Sequence, residues 1–265
     1  MRRSGLFWGI LLLLIGLLLL LNNLDLITVD VWSAVWAVVL IALGIGILWG
    51  IVLGPGSLEG EELTIPLGGA ASGRVQVKHG AGRLRVSAGA PPDTLLVGSC
   101  SGGISHRTRS KGNELDVELS PRDFPYGMAP WNWGRGGLRW SFRLNDQIPV
   151  VLAVETGASD VRLDLTELRI SDLQLQTGAS SVSVDLPARA GRTRVRVEAG
   201  AASVSLRVPP DVAARVRLES ALASVEVDRN RFPRTGDVYL SSDYDTAQNK
   251  VDIKVEAGVG SLRVS

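Results

Sequence analysis

The residues in this sequence that could do chemistry form a column. Seven residues beyond a recurring turn stand Asp164, Asp185, Arg207 and Asp228. On neighbouring strands ~4.8 Å apart, Asp164 and Asp185 would stand side by side. Paired carboxylates can hold a hard cation, and some β-helix enzymes use such columns to hold Ca²⁺ and sugar acids. Arg207, however, stands between Asp185 and Asp228 in the repeat, as charge compensation would have it. Arg196 with Glu198 and Arg217 with Glu219 repeat the mixture. The column therefore reads as a solvated face whose pairs contribute ~0–1 kcal/mol each. Ser101, His106 and an Asp could be assembled into a triad, but no Gly-x-Ser-x-Gly elbow surrounds any serine. His79 falls in a turn, and Asp243-Tyr244-Asp245 lacks calcium-loop spacing. No catalytic, cofactor or metal residue is assigned, and a non-enzymatic chain is expected.

A second candidate set lies in the stretch 124–137. It gathers Phe124, Tyr126, Trp131, Trp133 and Arg135 in a chain with only 5% aromatics. These residue types anchor protein interfaces, and Trp also suits a bilayer surface. The alternative is a cap over one end of a repeat stack, since terminal repeats must be covered.

Such residues need a scaffold, and composition bounds it. The chain has 265 residues, 45% hydrophobic and 21% charged, with 28 Lys+Arg against 27 Asp+Glu. That excludes a disordered chain and argues against a nucleic-acid partner, which needs a basic excess. One cysteine, Cys100, excludes an intramolecular disulfide framework.

Residues 1–53 predict a transmembrane hairpin. From Gly5 to Leu21 and from Trp32 to Leu53 no residue is charged. At ~1.5 Å per residue each run spans about one hydrocarbon thickness as a helix. Asn22-Asn23-Leu24-Asp25 offers no signal-peptide cleavage site. Arg2 and Arg3 precede the first span, whereas the connection 22–31 holds two Asp and no basic residue. The positive-inside rule then predicts a cytoplasmic N-terminus, two passes, and a cytoplasmic C-terminal domain. Gly5 and Gly9, and Gly46 and Gly50, are four apart, a spacing that permits close helix packing within the hairpin, with a partner helix or with a second copy, or that reflects plain glycine tolerance in lipid.

The rest repeats. Turn positions Gly157, Gly178, Gly200 and Ala221 are spaced 21, 22 and 21 residues apart, with further copies around Gly80 and Gly258. Three and five residues before each turn, and four and six after it, every residue is Val, Leu or Ile. That period of two marks strands with one buried face. Connections such as 187–193 are too short for an ordinary crossover helix. The expectation is an all-β domain, a β-solenoid of about 21 residues per rung, with a β-sandwich as the alternative. Its organisation reads as linker and first strand over 54–73 and solenoid over 74–265, with loops at 121–137 and 229–249. Residues 87–149 should supply irregular rungs or a covering sheet. The chain ends inside the last strand motif, which predicts an edge strand near the C-terminus, unless the 229–249 loop covers it.

The apolar run Gly5-Leu-Phe-Trp-Gly-Ile, the Asn23-Leu24 end, and Trp36 followed by Leu40-Ile-Ala-Leu-Gly44 resemble the LiaI/LiaF-type hairpin. The Ile148-Pro149 entry, the Thr-Gly-Ala-Ser turns and the closing Glu256-Ala-Gly-Val-Gly-Ser-Leu-Arg-Val264 resemble the toastrack β-domain of LiaF-like proteins. The resemblance implies a bacterial inner-membrane scaffold or regulator in the envelope-stress response. It implies a bilayer contact through residues 5–53 and a protein partner, such as a sensor kinase or another envelope-stress component, with homo-oligomers as a further option. It brings no catalytic residues. The alternatives are a structural or adhesin-like solenoid displayed outside the membrane and, more remotely, a carbohydrate-active β-helix enzyme.

Overall fold

The computed structural model describes residues 60–122 and 138–265 together with Trp36, and for 220–223 the backbone alone. The expected spans with Gly5, Gly9, Gly46 and Gly50, and the residues Phe124, Tyr126, Trp131, Trp133 and Arg135, lie outside the described residues. No helix among the described residues is long and apolar enough to cross a membrane.

The described domain is all-β. In chain order its strands are β1 (Glu61–Pro66), β2 (Ser72–Ala88), β3 (Thr94–Ser101), β4 (Ile104–Lys111), β5 (Glu114–Pro121), β6 (Leu138–Leu144), β7 (Pro149–Asp164), β8 (Arg169–Thr177), β9 (Ser181–Asp185), β10 (Arg192–Arg207), β11 (Ala213–Val227), β12 (Arg234–Thr235), β13 (Val238–Leu240) and β14 (Lys250–Val264). Strands β2, β7, β10, β11 and β14 each run through a turn position and so have a first and a second arm. In the remaining copy the two arms are separate, as β8 and β9.

The arms of one copy are not hairpin partners. Each pairs in parallel with the same arm of a neighbouring copy. Val75, Leu152, Leu173, Val195, Ile253 and Val216 are successive register partners along the first arms. Leu84, Val161, Val182, Val204, Leu262 and Val225 are their counterparts along the second. The alternating aliphatics face a common core and are buried, except Leu218, Val225 and Val227 on β11 at the end of the stack. Removing one such side chain from water contributes about 1.5–3 kcal/mol.

The order of the stack departs from the order of the chain. β14 lies between β10 and β11, in register with both from Lys250 to Val264. The expected C-terminal edge is thereby corrected, because the last strand is paired on both sides. The end strand is β11, and β13 covers it at Arg215–Arg217. A reason is visible in the charges. With β14 in place, Asp252 stands in register between Arg194 and Arg215. Without it, Arg194 and Arg215 would stand directly opposite each other across β10 and β11, and like charges directly opposite are destabilising. The column beyond the turn changes too. Ser265 joins Arg207 between Asp185 and Asp228, whose N–H donates to the Val264 carbonyl.

Residues 87–149 supply both irregular rungs and a covering sheet. β5 pairs in parallel with the first arm of β2, and β6 with the second. They are the two arms of one rung. β4 and β3 then cover them antiparallel, and β1 adds to β3. Asn145, fully buried after β6, donates to the carbonyls of Pro91, Pro92 and Thr94 and so fastens the entry of β3. Within 229–249 the structure contains β12 and β13, and Phe232 there is fully buried.

Candidate functional site

The corner explains the Thr-Gly-Ala-Ser motif. The glycines stack so closely that a Cβ on Gly157 would meet the Gly80 carbonyl oxygen at 2.7 Å. A Cβ on Gly178 would meet that of Gly157 at 2.9 Å, one on Gly200 that of Gly178 at 3.2 Å, and one on Gly258 that of Gly200 at 2.9 Å. Inside the corner the hydroxyls form a buried ladder. Thr156 Oγ1 donates to Thr177 Oγ1 at 3.2 Å, and Ser180 Oγ donates to the Gly157 carbonyl and accepts from the Ser159 N–H. Ser159 Oγ lies 3.0 Å from His79 Nδ1. The His79 ring meets Trp140 edge-on at 5.1 Å. Burial pushes the His79 imidazole below its ordinary pKa, opposed by the Leu138 backbone. Periodicity placed His79 in a turn but could not show that the turn faces inward.

Outside the corner, two columns of charge cross the first arms. Two residues before the turn, Lys78, Glu155, Gln176, Glu198, Glu256 and Glu219 follow one another in register, and all but Lys78 line a shallow groove of about 670 Å³. Two residues earlier, Arg196, Lys254 and Arg217 stand in register on β10, β14 and β11. With Arg194, Arg215, Asp172 and Asp252 they line a second groove of about 320 Å³.

The ion pairs of this face are specific. Asp252 receives Arg192 at 2.8 Å, Arg215 at 2.6 Å and the Tyr244 hydroxyl. Burial would raise its pKa, but hydrogen bonds from Tyr244, Arg215 and Arg192 outweigh that and hold the carboxyl below the ordinary range. The Arg215 guanidinium also lies over the Tyr244 ring, 4.8 Å from its centroid. Arg194 pairs with Asp172, and Lys254 with Glu256 at 2.6 Å and Glu219 at 3.4 Å. The expected pairs Arg196–Glu198 and Arg217–Glu219 do not form. Glu198 accepts instead from Gln176, and neither arginine has an ion pair among the described residues.

Asp164 and Asp185 are register partners, as the repeat spacing required. Each is engaged separately: Asp164 accepts from Thr166, and Asp185 pairs with Arg207 at 3.1 Å. No cluster of three metal-ligating residues occurs among the described residues. Ser101 lies on β3 opposite Arg139, and His106 is exposed on β4 opposite Leu119. Cys100 is buried, and burial, with a smaller contribution from Glu61, pushes its thiol up to about 12.

Residues 54–207 match the family model for the N-terminal domain of toast_rack, DUF2154. This chain belongs to the toast_rack family. Residues 6–48 match the LiaI-LiaF-like transmembrane region, so the toast_rack domain follows a membrane-associated segment. No curated protein matches the chain. A crystal structure of a candidate cell adhesion protein from Clostridium sporogenes ATCC 15579 matches at 21% identity and a TM-score of 0.71, covering 78% of this chain and 98% of that one. It establishes a shared fold. A candidate adhesin from Bacteroides fragilis NCTC 9343 aligns over 80% of this chain and 99% of its own, at 9% identity and a TM-score of 0.29.

Proposed function

We propose that this toast_rack protein is a non-enzymatic, membrane-anchored scaffold or regulator of the bacterial envelope-stress response. Its stack works as a β-solenoid whose outer columns contact a partner protein. The observation that carries this reading is the succession, in one chain, of a LiaI-LiaF-like transmembrane region and a toast_rack domain. The two uncharged runs within 1–53 support a two-pass anchor, and the basic residues before the first run support a cytoplasmic domain. A sensor kinase is one class of partner that fits a cytoplasmic scaffold. A parallel stack suits the role, because each rung contacts only its neighbours and the outer residues are free to vary without disturbing the core.

The second reading is adhesin-like display outside the membrane. It is favoured by the shared fold with the protein from C. sporogenes, itself described as a candidate cell adhesion protein. Side of the membrane separates the two readings. Lys111, exposed at the β4–β5 turn, is replaced by Cys, and intact and lysed cells are treated with an impermeant maleimide. Labelling only after lysis is expected for the regulator. Labelling of intact cells would transfer the proposal to display.

A further inference from the structure

We propose that the row Arg196–Lys254–Arg217, on the outer face of the first arms, is a binding site for a phosphate-bearing anion. Three cations stand directly opposite one another on three adjacent parallel strands. In-register like charges are destabilising, so a bare row of this kind opposes the pairing that creates it. Elsewhere on the face, acids offset the cations: Asp172 serves Arg194, and Asp252 serves Arg192 and Arg215. In the row itself only Lys254 is served, by Glu256 and Glu219. The two guanidiniums flanking it make no ion pair among the described residues, although Arg196 lies near enough to Glu256 to help lower its pKa.

The geometry selects the ligand. Arg196 and Arg217 stand two strand spacings apart, roughly 9.6 Å, with an ammonium between them. A guanidinium presents a rigid fork of N–H donors that matches phosphate oxygens bidentately, and Lys254 adds a point charge. Side chains of the row and of the next one, Asp172, Arg194, Asp252 and Arg215, wall a concave surface of about 320 Å³ with Val195 and Ile253 beneath it, the two carboxylates there being taken up by Arg194, Arg192 and Arg215. A multiply charged oxyanion placed there would meet both forks at once and cancel the repulsion along the row. A single carboxylate would leave one fork unused. The row also depends on strand order, because Lys254 reaches it only through the insertion of β14 between β10 and β11. It is absent from the linear sequence.

The experiment uses the full chain in nanodiscs of zwitterionic phosphatidylcholine at low ionic strength. In one arm sodium tripolyphosphate is titrated by calorimetry. In the other, sedimentation with separate phosphatidylglycerol vesicles is measured. The expected result is saturable binding that R196A/R217A weakens at least ten-fold, with R196K/R217K falling between the two because charge remains and the fork is lost. R85A/R139A, which removes the same charge from exposed positions on β2 and β6, should leave binding unchanged. Native strand content by circular dichroism checks that each variant folds. Binding of free tripolyphosphate identifies a soluble phosphate ligand; row-dependent binding of vesicles alone identifies a lipid headgroup. Binding unaffected by R196A/R217A, an equal loss in R85A/R139A, or no binding of either probe overturns the proposal.

Discussion

His79 Nδ1 lies 3.0 Å from Ser159 Oγ, eighty residues away in the chain, with both side chains buried in the corner between β2 and β7. This bond joins an imidazole to the hydroxyl ladder of Ser159, Ser180, Thr156 and Thr177. It also explains why a titratable ring can occupy a position filled elsewhere by Thr, Ala or Ser.

Because burial lowers the folded-state pKa of His79, the unfolded chain binds the proton more readily. Its contribution is therefore complete above the unfolded value of about 6.5 and is lost as pH falls from there through the folded value. In urea unfolding, the stability difference between the natural protein and H79Q should shrink or reverse between about pH 7 and pH 5. A difference that stays constant with pH would remove His79 from this role.

The glycine ladder predicts a ranked series. G157A, with a Cβ only 2.7 Å from the Gly80 carbonyl oxygen, should cost most, and G200A, at 3.2 Å, least. Overpacking of this kind costs about 1–3 kcal/mol, and backbone cannot yield as a flexible side chain can. Denaturation midpoints of G157A, G178A, G258A and G200A should follow the order of those distances. Equal midpoints would mean that the rungs separate freely at the corner.

β14 should behave as a keystone. Ile253 is buried between the first arms of its neighbours, and I253A should destabilise by about 2–5 kcal/mol. Val259, 54% exposed on the same strand, should tolerate Thr within about 0.5 kcal/mol. Deleting residues 250–265 should abolish hydrogen-exchange protection across 213–227, because among the described residues β11 pairs otherwise only with β13, at three positions. Retained protection there would show that β11 can close onto β10.

Asp252 offers a second titration, with its own window. Its carboxyl is held below the ordinary value despite burial, so its contribution is present above about pH 3.8 and is lost as pH falls through the lower folded value. D252N leaves Arg192, Arg215 and the Tyr244 hydroxyl without their charged acceptor. It should lower stability at pH 7 by about 1–3 kcal/mol, and the deficit should disappear in acid. A variant as stable as the natural protein at pH 7 would reduce the cluster to surface decoration.

Cys100 should resist maleimide in the folded protein and react on unfolding, since burial and a thiol pushed up to about 12 leave almost no thiolate at neutral pH. Mass spectrometry before and after urea reads this directly. Rapid native labelling would mean that β3 opens.

The sequence by itself determined the strands, their buried faces and the place of each corner. A strand buried on one side must alternate, and a glycine column is required wherever successive backbones touch. The Val and Leu columns, the pairing of Asp164 with Asp185, and the turn glycines at 157, 178, 200 and 258 were legible for that reason. Tertiary structure alone decided which rung lies beside which. The copies are alike in pattern, so periodicity cannot distinguish β14 added after β11 from β14 inserted before it. The choice depends on cross-strand charges, such as Asp252 between Arg194 and Arg215, and on the path of the 228–249 connection. The same decision brings Arg196, Lys254 and Arg217 into one row and makes β11 the end of the stack, while the pairing of β6 beside β2 sets His79 against Trp140. These are relations between residues far apart in the chain, and no local spacing encodes them.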